Sequence, residues 1–150
     1  MQNIHIRSFN NEDSEELYKL LELNIPKYFA ETELEDFKDY LANKVEDYFI
    51  VNADDKIIGC GGINYDRENN AVNISWDVIH PSFQGKGIGK MLLQHRLEHI
   101  KKNSPELQIV VRTSQIVYPF YEKNDFKLME KHKDFWAKGY DMYKMIYLEE

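Results

Sequence analysis

A short segment with three closely spaced glycines joins an apolar strand pattern to a helical pattern, and it reads Gln84-Gly85-Lys86-Gly87-Ile88-Gly89-Lys90. Pro81 ends the strand pattern shortly before it. The first N–H groups of a helix have no partner inside the helix and carry the positive end of its dipole. Because glycines let an anion approach the backbone closely, the segment predicts a phosphate-binding loop at a helix N-terminus.

Two common phosphate-binding patterns are absent from this loop. The dinucleotide pattern G-x-G-x-x-G requires a glycine at the position of Lys90. The Walker A pattern requires Ser or Thr at the position of Met91. A plain strand-to-helix turn and a site for some other phosphate ligand therefore stay open as alternatives.

The hydrophobic pattern predicts one domain over residues 1–150, with the order β-α-α-β-β-β-α-β-α-β-β. The strand–helix–strand unit around the glycine loop is a crossover, so its two strands should be parallel within a mixed α/β sheet. Asp13 with Glu16, and Thr32 with Glu35, are predicted to cap the first two helices. Strands are predicted at residues 4–9, 48–52, 56–65, 71–80, 107–112, 126–132 and 140–147, and helices at 13–23, 32–43, 87–102 and 118–123.

Composition narrows the classes of function. The formal charge of −7 argues against nucleic acid as the main partner, because binding its backbone needs clustered Lys and Arg. The single cysteine, Cys60, lies in an apolar stretch and is predicted to be a packed residue rather than a nucleophile. The first residues lack a hydrophobic signal core, and no segment approaches the roughly 20 apolar residues of a membrane span. We therefore expect a cytoplasmic protein that does not bind membranes.

Two motifs resemble signatures of the GNAT superfamily of N-acetyltransferases. Pro81-x-x-Gln84-Gly85-Lys86-Gly87-Ile88-Gly89 is similar to its motif A, and residues 118–126 are similar to its next signature, a tyrosine and a short turn before Phe. The predicted order of elements resembles the GNAT fold along nearly the whole chain. That resemblance implies a twisted mixed sheet of about seven strands flanked by about four helices.

The resemblance also implies acetyl-CoA as the acyl donor and no metal. Its pantetheine arm would lie along the backbone of Asp77, Val78 and Ile79, where the sheet splays to admit it. An N–H near Val78 or Ile79 would polarise the thioester carbonyl. The pyrophosphate would lie on the loop residues Gln84, Gly85, Lys86, Gly87, Ile88, Gly89 and Lys90.

The implied reaction is direct attack of a primary amine on the thioester. Tyr121 is the expected proton donor to the departing thiolate, with Tyr118 as its rival on the same short helix. No base is identified with certainty; Asp77 is a candidate, although its alternation with Ile79 aims it toward a helix, and a water chain would serve equally well. The asparagine that many relatives use to contact the cofactor is absent, which leaves Ser114 or Gln115 as its replacement.

Two of three further patterns have simpler readings, and the third has two equal ones. His95-Arg96-Leu97-Glu98-His99 matches the H-x-x-E-H zinc motif, but it flanks an apolar helix face and is predicted to lie at the rim. The acidic residues Glu31, Glu33, Glu35 and Asp36 are predicted to form a solvated helix face rather than an acceptor wall. The aromatic residues Phe135, Trp136, Tyr140 and Tyr143 are equally consistent with an acceptor pocket and with core or dimer contacts.

The expected acceptor is a small-molecule or peptide amine, and a homodimer is compatible with the sequence. The main alternative is a module of the same fold that binds acyl-CoA as a sensor and transfers nothing. Turnover of an amine distinguishes the two.

Overall fold

The computed structural model describes residues 3–148, so the ends of the predicted 1–150 domain lie outside the described residues. The described strands form one seven-stranded mixed sheet in the order β1-β2-β3-β4-β5-β7-β6. The strands are β1 Ile4–Ser8, β2 Asp47–Ala53, β3 Lys56–Asp66, β4 Ala71–Ile79, β5 Gln108–Thr113, β6 Phe126–Ala137 and β7 Tyr140–Tyr147. The helices are α1 Ser14–Glu22, α2 Glu33–Asn43, α3 Ile88–Asn103 and α4 Tyr118–Glu122.

The predicted fold class and element order are confirmed. Strands β4 and β5 are parallel, as the crossover through α3 requires, and their other neighbours are antiparallel. One strand is longer than predicted, because β6 continues to Ala137 and forms a long hairpin with β7. Side chains of this hairpin reach the site described below.

The helices cover both faces of the sheet. On one face, α3 buries Leu93, Leu97 and Ile100 against Ile63 and Ile74 of the central strands. On the other face, apolar residues of α1 and α2 pack with side chains of β2, β3 and β4. This alternation follows from the period of two in a strand, which sends successive side chains to opposite faces. None of the helices within residues 3–148 has the length and apolar composition needed to cross a bilayer.

The sheet opens between its two parallel strands. Pairing of β4 with β5 runs from Ala71 opposite Gln108 to Ile74 opposite Val111 and stops there. A β-bulge beyond this point shifts the register of β4 against β3, and Trp76 in it has a positive φ of 48°. The rest of β4, up to Ile79, therefore presents an unpaired edge toward the gap.

The predicted helix caps differ from those in the structure. Neither Asp13 nor Thr32 accepts a hydrogen bond through its side chain from the helix that it precedes. The carboxylate of Asp13 turns back to accept the N–H of Asn10 at 2.8 Å. The amide oxygen of Asn10 instead accepts the N–H of Glu12, at the start of a 3-10 turn that precedes α1. Before α2, the carboxylate of Glu33 turns back to accept the N–H of Ala30 at 2.7 Å. The path of the chain before each helix decides which residue makes the capping hydrogen bond. The capping-box spacing takes no account of that path.

Candidate active site

The glycine loop has the open backbone that an anion site requires. Gly85 and Gly87 have φ values of +75° and +84°, and a Cβ added to either would meet no atom within 4 Å. Within residues 3–148, the N–H groups of Gly85, Lys86 and Gly87 donate no hydrogen bond to the protein. Helix α3 starts immediately afterwards at Ile88, so its first N–H groups add to this donor set. These residues fit a pyrophosphate, which supplies oxygen acceptors and negative charge.

A groove of about 1000 Å³ begins at this loop and passes through the gap between β4 and β5. One half is bordered by the loop, by the end of β4 and by α4. The other half is bordered by the segment around α2, by the sheet face and by the β6–β7 hairpin. Lining residues of the first half include Ile79, Phe83, Gln84, Gly85, Gly87, Gly89, Lys90, Phe120, Tyr121 and Asn124.

The edge of β4 presents a free N–H to this groove. The N–H of His80 donates to the carbonyl of Ile58 on β3, at 2.8 Å. Consecutive strand residues direct their N–H groups to opposite edges of the strand. The N–H of Ile79 therefore points away from β3 and into the gap. The side-chain amide of Gln84 donates to the carbonyl of Ile79 at 3.3 Å, which ties the loop to this edge. Of the two predicted carbonyl-polarising groups, Ile79 is therefore the better placed.

A buried ionic network lies beneath the gap. The hydroxyl of Tyr121 donates to Oδ2 of Asp77 at 2.7 Å. The same carboxylate accepts two hydrogen bonds from the guanidinium of Arg96, and Nη2 lies 2.7 Å from Oδ2. Arg96 is fully buried in α3, while the Asp77 side chain is 20% exposed. Nη1 of Arg96 also donates to the carbonyl of Gly62, so the guanidinium is held from several sides.

The network keeps Tyr121 protonated. Burial and the adjacent Asp77 carboxylate raise the pKa of Tyr121 well above that of a free tyrosine, although Arg96 opposes the shift. The hydroxyl therefore carries its proton throughout the neutral pH range. A protonated hydroxyl beside the gap can donate to a thiolate that forms there.

The model of the "Acetyltransferase (GNAT) domain" matches residues 13–148. The chain belongs to the GNAT acetyltransferase family. No curated protein matches the chain. The motif-based resemblance to this family is thus confirmed by an independent comparison.

Solved structures of other acetyltransferases show the same fold at low sequence identity. A protein from Desulfovibrio desulfuricans described as an acetyltransferase of the GNAT family has a TM-score of 0.80 at 18% identity, over 98% of this chain and 99% of its own. The ribosomal-protein-S18-alanine N-acetyltransferase of Escherichia coli has a TM-score of 0.79 at 13% identity, over 97% and 93%. An aminoglycoside 6'-N-acetyltransferase complexed with coenzyme A has a TM-score of 0.75 at 16% identity, over 97% and 98%.

Most of the predicted site residues of this GNAT domain border the groove, but three do not. Val78 is 1% exposed and packs in the core on the α1–α2 side. Ile88 is buried in a second apolar cluster. The ammonium of Lys86 lies 5.5 Å from the ring centroid of Phe83 rather than in the groove. The side chains of Val78 and Ile88 are therefore not available to a ligand in the groove.

The structure also distinguishes between the residues that the sequence left as alternatives. Tyr121 borders the groove, whereas Tyr118 stacks on Tyr143 with ring centroids 4.8 Å apart. The hydroxyl of Ser114 accepts the N–H groups of Ile116 and Val117, both at 3.3 Å, at the start of α4. Gln115 binds backbone groups of the β6–β7 hairpin. Ser114 borders the groove and Gln115 does not, so Ser114 is the better placed of the two.

Of the four aromatic residues, Trp136 and Tyr140 border the groove. The patterns for which one reading was favoured take that reading, with one exception. Cys60 is buried, and burial raises the pKa of its thiol to about 12. His95 and His99 pack edge-on against Phe49, and no cluster suited to a metal occurs within residues 3–148. The exception is Glu33, which was predicted to be solvated but is 7% exposed and borders the groove.

Sequence reasoning missed Arg96, because it was read only as part of a zinc-like motif. A signal was present: Arg96 lies on the apolar side of α3, within the row of Leu92, Leu93, Leu97 and Ile100. A buried arginine on a helix predicts a buried carboxylate as its partner. Asp77, on the strand that precedes the loop, was the available candidate.

Proposed function

We propose that this protein transfers the acetyl group of acetyl-CoA to a primary amine of a small-molecule or peptide acceptor. One observation carries the proposal: the groove connects an open glycine loop, a free strand edge and the hydroxyl of Tyr121 in a single path. The family membership is consistent with it. The acetyl-CoA supplies a thioester that an amine can attack directly.

Each part of the path has a distinct role. The amides of Gly85 and Gly87 and of the first turn of α3 bind the pyrophosphate. The unpaired edge of β4 holds the pantetheine arm, and the N–H of Ile79 polarises the thioester carbonyl. These contacts use backbone groups, so they orient the donor independently of most side chains.

Tyr121 donates its hydroxyl proton to the departing sulfur by turning from Asp77, and a proton from solvent then replaces it. Before the reaction Asp77, which is held by Arg96, accepts the hydrogen bond of this hydroxyl and raises its pKa, so the hydroxyl stays protonated. The acceptor reaches the carbonyl from the half of the groove that is bordered by α2 and the β6–β7 hairpin. Because Asp77 is committed to Arg96 and Tyr121, water takes the proton that the ammonium of the acceptor loses, and the neutral amine then attacks in this scheme.

The test is calorimetric titration with acetyl-CoA of the wild type and of Gly87→Glu. The new carboxylate would repel the pyrophosphate, so we expect the affinity to fall at least about tenfold. Gly139→Glu is the matched control, because Gly139 has a φ of +85° with no atom within 4 Å of an added Cβ and lies in the β6–β7 turn. It carries the same backbone strain and the same charge without entering the groove.

Three results are informative. Binding that is lost in Gly87→Glu and kept in Gly139→Glu supports the site. Equal loss in both variants assigns the effect to backbone strain. Absence of binding to the intact protein rejects the proposal. Among binding-competent samples, release of free thiol with an amine separates an enzyme from a sensor that only binds.

A further inference from the structure

The second half of the groove has an aromatic wall. Its contributors come from three separate parts of the chain: the segment around α2, the bulge of β4 and the β6–β7 hairpin. The hydroxyl of Tyr140 donates to the carbonyl of Pro26 at 2.7 Å, which joins the hairpin to the segment before α2. The aromatic lining residues of this half are Tyr28, Phe29, Tyr40, Trp76, Trp136 and Tyr140.

Trp76 is held in a costly backbone conformation at the centre of this wall. A positive φ of 48° is rare for a bulky residue, because its side chain crowds the backbone in this conformation. The hydroxyl of Tyr48 donates to the carbonyl of Trp76 at 2.7 Å, and Phe29 stacks on its indole at 6.1 Å and 15°. The tilted ring of Phe37 lies 5.1 Å from it. The bulge thus sets a rigid flat surface beside the gap.

Glu33 places an unpaired carboxylate in the same half of the groove. Its Oε2 accepts the N–H of Ala30, and within residues 3–148 it forms no ion pair. A carboxylate withdrawn from water without a cation is unfavourable unless a ligand supplies the charge. A single ammonium would do so, and the neighbouring ring faces would attract the same cation.

The other charges of this half disfavour a second ammonium on the ligand. Asp77 is already neutralised by Arg96. The exposed cation Arg112 also borders the groove. Lys44 borders it too, but its ammonium is paired with Asp39 at 3.2 Å. A second ammonium on the ligand would meet the charge of Arg112, with only Glu33 to balance it.

We propose that the acceptor is a monoamine with a flat apolar body, held by Glu33 at its ammonium until water removes a proton from it, and by the rings around Trp76 along its body. This assignment rests on the proposed acetyl transfer and gives it a substrate class. In this scheme, Trp76 and Glu33 determine which amine acceptors the protein prefers. A peptide or polyamine acceptor is an outcome that the test below would reveal.

The experiment compares two amines as acceptors, 2-phenylethylamine and 1,5-diaminopentane. The second is a linear alkyl diamine with a second ammonium in place of the ring. Values of kcat/KM are measured by thiol release in the wild type, Glu33→Gln and Glu35→Gln. Glutamine at position 33 still offers an oxygen to the N–H of Ala30 but removes the charge. Glu35 is an exposed carboxylate on the same helix and is the matched control.

We expect 2-phenylethylamine to be preferred by at least about tenfold, and Glu33→Gln to raise its KM by roughly tenfold with kcat less affected. Glu35→Gln should leave both values unchanged. Equal or better use of 1,5-diaminopentane, or an unchanged KM in Glu33→Gln, would overturn the inference. Calorimetry of 2-phenylethylamine with CoA-loaded protein tests the pocket without turnover, and absence of binding there would also overturn it.

Titration of the same samples with acetyl-CoA separates this inference from the proposed function. Protein that binds acetyl-CoA but not 2-phenylethylamine contradicts the acceptor class alone. Protein that binds neither contradicts the proposed function as well. Binding of acetyl-CoA by Glu33→Gln within about twofold of the wild type would confirm that the variant is folded.

Discussion

The hydroxyl of Tyr121 lies 2.7 Å from Oδ2 of Asp77, and this contact joins α4 to the end of β4 across the gap in the sheet. The carboxylate is held in turn by the buried guanidinium of Arg96 on α3. Three elements that surround the gap therefore meet at one carboxylate. The geometry of the proposed proton donor depends on residues that need not touch a substrate.

Replacing Tyr121 by Phe should lower kcat by about a hundredfold, because the departing thiolate would lose its proton donor. The affinity for acetyl-CoA should change little, since the proposed donor contacts are made by backbone groups. Steady-state kinetics together with calorimetry measure both quantities. Tyr118→Phe is the control, because Tyr118 packs on Tyr143 outside the groove. A similar loss in both variants would contradict the assigned role.

Replacing Arg96 by Met should destabilise the protein by about 3–5 kcal/mol, since it leaves the Asp77 carboxylate without its cation. The partial exposure of Asp77 places the expected value toward the lower end of this range. Urea unfolding measures it. A double-mutant cycle with Asp77→Asn should show a coupling of roughly 1–3 kcal/mol, and additive losses would show that the pair is not coupled.

Gly61→Ala tests the same network without changing any of its members. A Cβ at this position would lie 2.6 Å from Oδ1 of Asp77 and 3.0 Å from Nη1 of Arg96. The ion pair would have to move, at a cost of about 1–3 kcal/mol in unfolding free energy. We also expect kcat to fall, because the hydroxyl of Tyr121 would move with the carboxylate. A variant with wild-type stability and kcat would show that the network tolerates displacement.

The stability of the wild type relative to Glu33→Gln should depend on pH. Burial raises the pKa of Glu33 above its ordinary value of 4.5, despite the opposing hydrogen bond from Ala30. The folded state then binds this proton more tightly than the unfolded chain does. The stability of the wild type relative to the variant should therefore be highest below about pH 4.5 and decline as pH rises through the raised pKa. Urea unfolding of both proteins across this range checks it, and a difference constant with pH would contradict the burial of Glu33.

Much of the fold was predictable because the relevant signals are local. The glycine loop, the crossover and the order of elements follow from turn residues and from the periods of strands and helices. The predicted caps were wrong because the groups that actually cap, Asn10 and Glu33, depend on the path of the chain before each helix. The spacing of residues does not show that path. Tyr121 could be proposed from the sequence because its signature is a short contiguous segment.

The residues that complete the site are set by contacts between distant parts of the chain. The sequence by itself determined the glycine loop before α3 and the parallel pair of strands beside it, and it proposed Tyr121 as the proton donor, all from nearby residues. Only the tertiary structure decided that Asp77 binds Arg96, that Trp76 adopts a positive φ and that Glu33 is buried beside aromatic rings. Side-chain direction at a bulge and burial on a helix face depend on what packs against them, and no local pattern contains that information.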